Sequence, residues 1–218
     1  MDNFSGDKKE PIKSLSAKYE QKLIQAILPR LPIWLKGRYL TLMSIPLSIG
    51  MIVLGYFAQS NYDLLWISSF LIFIHWFTDS LDGAVGRLRK EGVPRWGFYM
   101  DHFMDFVFMV CMTIGYSFLF EGATKELVLL IIPVSTGFMV NSFLQFGATQ
   151  KFEITYYGIG PTDLRIFSII LNCLIIFYGI EFIETGLLYV FIFLLLILII
   201  TIYKTQKGIR KIDDQNPE

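Results

Sequence analysis

The sequence predicts an all-α integral membrane protein: six transmembrane helices preceded by an N-terminal interfacial amphipathic helix. Three observations predict it. The 218 residues are 54% hydrophobic and only 17% charged, unlike a soluble domain of this size. Largely apolar stretches of about 20 residues recur, the length that crosses the hydrocarbon core as a helix. The basic residues also segregate: of the 19 Lys and Arg, only Lys125 falls in a loop after the first, third or fifth stretch. Six buried helices of a soluble bundle would need polar faces that these stretches lack.

Taken in order, residues 1–15 are polar and expected to be disordered. From Ala17 to about Leu28 the pattern becomes amphipathic, with Leu23, Ile24, Ile27 and Leu28 on one face and Lys18, Glu20, Gln21 and Lys22 over much of the rest. Pro29 and Pro32 end this helix. With Trp34 at headgroup level it suits the membrane interface, or equally the rim of the bundle. The spans follow at 39–58, 64–84, 98–120, 127–146, 163–180 and 187–203. The 2–3 connection, 88–96, holds Arg89, Lys90, Gly92, Pro94 and Arg95 and reads as a basic turn. The 4–5 connection, 147–162, ends in Gly158, Gly160 and Pro161, which break the helix, while Thr162 or Asp163 can cap the next one. The division is a 1–38 N-terminal segment, a 39–203 transmembrane domain and a 204–218 solvated tail.

The positive-inside rule then puts both termini and the 2–3 connection on the cytoplasmic side. No cleavable signal peptide is expected, because the first 38 residues are polar and amphipathic. Cys111 and Cys173 lie inside spans, which argues against a disulfide or a zinc site. Asn141 and Gln145, one turn apart in the fourth span, read as interhelical hydrogen-bond glue. His75 reads as a polar residue with its hydrogen bonds satisfied.

The chemistry lies in residues 79–105. Asp79 and Asp82 are three apart and Asp101 and Asp105 four apart, so each pair shares a helical face. Apolar runs flank both pairs, which puts the carboxylates at or near hydrocarbon depth. An ionised side chain there costs roughly 2.5–3.5 kcal/mol and is a functional hypothesis by default. Four such charges repel, and the simplest relief is one or two divalent cations. Oxygen donors alone suit a hard ion such as Mg²⁺ or Mn²⁺. At about 100° per residue, Asp79, Asp82, Gly83, Gly86 and Arg87 fall within an arc of roughly 140°. The glycines let a phosphate or flat nucleotide approach the helix, and Arg87 offers a planar fork for phosphate oxygens. Such a pocket is what phosphoryl transfer from a diphosphate needs. An alcohol nucleophile also needs a base, and Asp105, lying deepest, is a candidate.

The stretch resembles the signature of the CDP-alcohol phosphotransferase (CDP-alcohol phosphatidyltransferase) family, D-x-x-D-G-x-x-A-R followed by G-x-x-x-D-x-x-x-D. Asp79, Asp82, Gly83, Arg87, Gly97, Asp101 and Asp105 occupy those places. Gly86 stands where alanine is usual, and the gap from Arg87 to Gly97 is one residue longer than in the commonest form. The resemblance implies that 39–203 is catalytic, moving a substituted phosphate from a CDP-linked donor to an alcohol, soluble or lipid, with release of CMP. It implies two divalent ions per site, with Asp79, Asp82 and Asp101 as ligands and Asp105 tied to the second ion and the base role. It also implies a CDP-donor lying along Gly83 and Gly86 with Arg87 near its phosphates, and a homodimer. His102, which follows Asp101, resembles the histidine proposed as base in the choline and ethanolamine branch, although Phe103 stands where that branch has glycine; the other reading of His102 is a histidine hydrogen-bonded at a helix face. GPTDLR resembles the start of the fifth helix in bacterial-type members, which implies an acceptor role for Arg165. The other reading of Arg165 is snorkelling to headgroups.

The expected setting is a bacterial inner (cytoplasmic) membrane, with membrane lipids as partners and no nucleic acid. Two rival readings stand beside the enzyme. One is a divalent-cation or proton-coupled transporter, since intramembrane acids also mark ion pathways. It does not account for Gly83, Gly86 and Arg87 interleaved with the acids, and no inverted half-repeat is visible. The other is a non-catalytic family member, against which stands the presence of all four acids.

Overall fold

A computed structural model describes residues 17–215, and within them the chain is helical almost throughout. The expectation for residues 1–15 lies outside the described residues. The helices are α1 (Ala17–Ile27), α2 (Gly37–Leu42), α3 (Ser44–Ala58), α4 (Leu65–Leu88), α5 (Pro94–Ser117), α6 (Gly122–Thr149), α7 (Pro161–Tyr178) and α8 (Glu181–Gln215). Six stretches are long and apolar enough to span a bilayer, α2 and α3 together forming the first. Many of their large apolar side chains, such as Phe70, Leu144, Phe177 and Tyr189, face outward, as a lipid-facing surface requires.

Helix boundaries differ from the sequence reading in several places, three of which reshape an element. The first span is two helices that meet at Met43. Pro46 has no N–H for the carbonyl of Leu42, and its ring crowds that carbonyl, so the helix breaks at Met43 and resumes at Ser44. α6 runs on to Thr149, closed by Gln150 at φ 59°, with Pro133 inside it. α8 continues to Gln215, so the chain does not leave its helix at 203 and much of the tail is an exposed helical extension. Between α6 and α7 the backbone makes a small hairpin, pairing Tyr156 with Ile159. Tyr157 and Gly158 turn it with φ of 54° and 83°.

α4, α5 and α7 carry the site. α5 crosses α3 where Gly55 and Gly115 meet backbone to backbone, a contact that any side chain would prevent. A buried cluster of Leu47, Met51, Ile72 and Phe108 fills the middle of the bundle. At one end, called here the distal end, Ala58, Leu65, Leu119, Phe120, Val128, Ile175 and Leu187 form another. At the opposite, acid end, Ile24, Ile27 and Leu28 of the N-terminal segment pack on Leu40, Leu81 and Val85. The amphipathic segment is therefore docked on the rim of the bundle, while Tyr19, Leu23 and Trp34 point away from it.

Candidate active site

α4 and α5 run antiparallel, joined by the short turn at 89–93, so their acidic ends lie side by side. Asp79 is close enough to Asp101 for a side-chain hydrogen bond. α7 starts beside them because Gly160 and Pro161 stop the preceding chain and Asp163 caps the helix, accepting the Gly160 N–H at 2.8 Å. One turn on, Arg165 reaches between the two acidic helices. Its Nη1 lies 2.7 Å from Asp79 Oδ2 and its Nη2 2.5 Å from Asp105 Oδ1. At 9% exposure this guanidinium does not snorkel outward. It is the counter-charge of the acid cluster, and its planar fork suits two carboxylates at once.

Asp82 sits one turn along α4 and is held from the other side. Thr41 of α2 donates its hydroxyl to Asp82 Oδ2 at 2.5 Å. α2 comes this close because Gly37 lies on the backbone of Asp82 and Gly86, where a Cβ would sit 3.0 Å from the Gly86 nitrogen. Glu91 accepts the Gly37 N–H at 2.5 Å, fixing the first turn of α2. Gly83 and Arg87 are exposed beside one another, and a Cβ on Gly86 would meet nothing within 4 Å. This stripe of α4 is open to a ligand.

His102 turns away from Asp79. Its Nδ1 lies 3.2 Å from Asp101 Oδ2, and its ring packs among Phe98, Phe152 and Phe143 at centroid distances of 4.5, 4.7 and 5.8 Å. His75 departs from expectation. It is 1% exposed, stacked on Phe108 at 3.7 Å, and neither ring nitrogen has a hydrogen-bond partner. Asn141 does bridge elements, donating to Tyr156 and Thr205. Gln145 reaches only Glu153, and its carbonyl oxygen is buried without a partner.

Thus Asp79, Asp101, Asp105 and Arg165 are gathered in one place, with Asp82, Gly83, Gly86 and Arg87 along the adjoining stripe and His102 to one side. The donor set is carboxylate oxygen, which is the right chemistry for a hard divalent cation. Among the described residues, however, no three acids or histidines converge on a common point that would already cage an ion. Arg165 holds two of the four carboxylates instead. Two further residues around the site carried no readable signal in the sequence, Thr41 on Asp82 and Ser80 on Glu20, and Thr162, expected at most as a cap, bonds Glu20 as well. A separate cavity of about 390 Å³ opens between α6, α8 and the hairpin, lined by Lys151, Tyr157 and Lys204 among others. It contains none of the predicted site residues.

A family profile described as CDP-alcohol phosphatidyltransferase matches residues 35–204. The chain belongs to this family. No curated protein matches the sequence closely enough to add a nearer relative. The family is one of transferases in phospholipid synthesis that move phosphate from a CDP-alcohol, and it implies a CDP-linked donor and an alcohol acceptor. Its members are embedded in membranes, in keeping with the six apolar helices, and are generally dependent on divalent metal. The matched segment begins at Leu35, so α1 precedes it.

Proposed function

We propose that this chain transfers a substituted phosphate from a CDP-linked donor, CDP-diacylglycerol or a CDP-alcohol, to an alcohol hydroxyl with release of CMP. The observation that carries the reading is the convergence of Asp79, Asp101 and Asp105 with Arg165 beside an open glycine stripe. Asp79, Asp82, Asp101 and Asp105 would hold Mg²⁺ or Mn²⁺, two ions per site, which would neutralise the charge that develops on the diphosphate. The donor lies along Gly83 and Gly86, which have no side chains of their own to hold it off the helix, with Arg87, whose guanidinium lies over Gly83, at its phosphates.

Asp105 is the base in this reading. Its Oδ1 is taken by Arg165, but among the described residues no hydrogen bond reaches its other oxygen, which is left to accept the proton of the acceptor hydroxyl. Arg165 keeps the acids together before substrate arrives. Once they are engaged elsewhere, its fork is in place for the acceptor or a phosphate on it. The specific observation favouring a second reading is the His102–Asp101 contact, an imidazole beside a carboxylate, which would make His102 the base.

In the same proposal the chain forms a homodimer in a bacterial inner membrane, with both termini and the Arg89–Arg95 turn in the cytoplasm. The segregation of basic residues supports this orientation. Cysteine labelling from outside intact cells should then succeed near Asn61 and fail in the 89–95 turn, and the reverse pattern would overturn it. The reaction is tested by incubating purified protein in nanodiscs with Mg²⁺ or Mn²⁺, each CDP-donor and a panel of soluble and lipid alcohols, following CMP. CMP release with one donor–acceptor pair, abolished by chelator, is the expected result. Silence across the panel would favour a non-catalytic member.

A further inference from the structure

We propose that Glu20 is a positioning residue for the acid site, acting as a tie that holds the ends of α4 and α7 together from outside the family's core. One oxygen of its carboxylate accepts the hydroxyl of Ser80 at 2.8 Å, and the other accepts that of Thr162 at 2.7 Å. Ser80 directly follows Asp79 on α4, and Thr162 lies one turn before Arg165 on α7. The two ends of the Asp79–Arg165 ion pair are thus also joined through a third helix. Hydrogen bonds to an ionised acceptor are roughly twice as strong as neutral ones, and here both are made by one rigid fork.

The helix that carries Glu20 is itself anchored. Ile24, Ile27 and Leu28 pack on Leu81 and Val85 of α4 and Leu40 of α2. Beyond it, Arg89 donates to the carbonyls of Leu31 and Pro32 at 3.0 and 3.1 Å, and Glu91 holds Gly37. The segment from α1 to α2 is therefore a strap across the end of α4, fastened at α7 by Glu20 and at the far side by Arg89 and Glu91. Apolar packing and the Glu20–Ser80 bond fix the strap to α4. Among the described residues, Glu20–Thr162 is the one hydrogen bond that carries it across to α7, so the loss of this carboxylate loosens the start of α7 against Asp79.

Taking the proposed phosphotransfer as one readout, a distance measurement serves as a second that needs no activity. Spin labels at the exposed positions Leu88 and Leu164 report the spread of separations between the ends of α4 and α7. We expect Glu20→Ala to broaden that distribution and to lower kcat about 10- to 100-fold, since a displacement of about 1 Å at a reacting centre costs that much. KM for the CDP-donor, whose contacts at Gly83, Gly86 and Arg87 all lie on α4 itself and do not depend on its spacing from α7, should move less than about threefold. Glu20→Gln offers polar atoms at both positions and should stay within about threefold of the parent in kcat. Thr162→Val, which leaves α1 packed, should reproduce the loss, and the double variant should be no worse than either single one. An unchanged distance distribution in Glu20→Ala overturns the proposal, whether or not activity falls. So does equal loss in Glu20→Gln and Glu20→Ala, which would mean that charge and not the tie matters. A parent chain that releases no CMP would sink the reaction assignment but leave the distance arm standing.

Discussion

The two ends of the α4–α5–α7 bundle solve the problem of buried polarity in opposite ways. At the distal end, Asn172 is 0% exposed and neutral, and its bonds are all made. Its amide donates to Ser69 at 2.9 Å and to the Leu65 carbonyl at 3.4 Å, while its oxygen accepts the Tyr116 hydroxyl at 2.7 Å. At the acid end, charges replace amides. Arg165 balances two carboxylates, Asp101 leans on Asp79, and the glycine stripe beside them is left open. A closed neutral network can only fix helices in place. A charged cluster whose balance rests on one arginine can exchange partners. The distal end is built to stay as it is, and the acid end to take a ligand.

The largest way to break this contrast is to remove acids. Asp79→Asn, Asp82→Asn and Asp101→Asn should each nearly abolish CMP release, by roughly 10³-fold or more, because none of the remaining groups can manage the diphosphate charge. Excess chelator should do the same to the parent. Full turnover in chelator would show that the acids serve structure and not chemistry. Next comes the proton. Asp105→Asn should lower single-turnover rate by about 10²–10⁴ while donor affinity stays within a few-fold. His102→Ala should leave the rate near normal. If the two variants exchange those profiles, the base is the histidine held against Asp101.

Arg165 tests whether the acid end truly exchanges partners. Removing one side of a buried ion pair costs about 3–5 kcal/mol, so Arg165→Ala should lower the thermal midpoint clearly in chelator. Added Mg²⁺ or Mn²⁺ should restore part of it, since the freed carboxylates would then bind cation instead. The parent should show a smaller response to the ions. A loss that no divalent ion repairs would mean that these carboxylates do not form a cation site. At the distal end the expectation differs in kind. Asn172→Leu removes the 2.7 Å acceptor of the Tyr116 hydroxyl and the amide that donates to Ser69, and should cost about 1–3 kcal/mol, with kcat almost unchanged.

The sequence and the structure agree best where a short-range rule governs. Spans were legible because hydrocarbon thickness sets a length, and the start of α7 because a helix start has its own residue code, which left its cap open between Thr162 and Asp163. Hydropathy marks where the membrane ends, not where a helix does, so α8 was cut short at 203 although its polar turns remain helical. The apolar run from 39 to 58 hid the break that Pro46 makes. The four aspartates were legible from spacing alone, since each pair lies on one helix. What joins helices was not. That Arg165 meets Asp79 and Asp105, that Thr41 holds Asp82, and that Glu20 reaches both Ser80 and Thr162 depend on which helices are neighbours. No local pattern carries that information. Polar satisfaction was equally out of reach, and there the expectation for His75 failed.

His75 lies between the two ends, one turn from Asp79, and offers the smallest and sharpest test of where one gives way to the other. Its ring is buried flat against Phe108, and neither nitrogen finds a donor or acceptor. Burying such a group without a partner costs about 1–3 kcal/mol, and an apolar residue of similar size recovers that cost. If the acid end stops at Asp79, His75→Leu should therefore keep kcat within about threefold, and its thermal midpoint should hold or rise by a few degrees. If the site extends one turn deeper, a bound ion, water or acceptor group must complete the imidazole during turnover. His75→Leu would then lose activity while remaining as stable as the parent, and His75→Gln, which keeps a polar atom there, would recover part of it. Measuring midpoint and kcat on the same preparations separates these outcomes. Activity lost without stability lost would move the boundary of the acid end from Asp79 to His75.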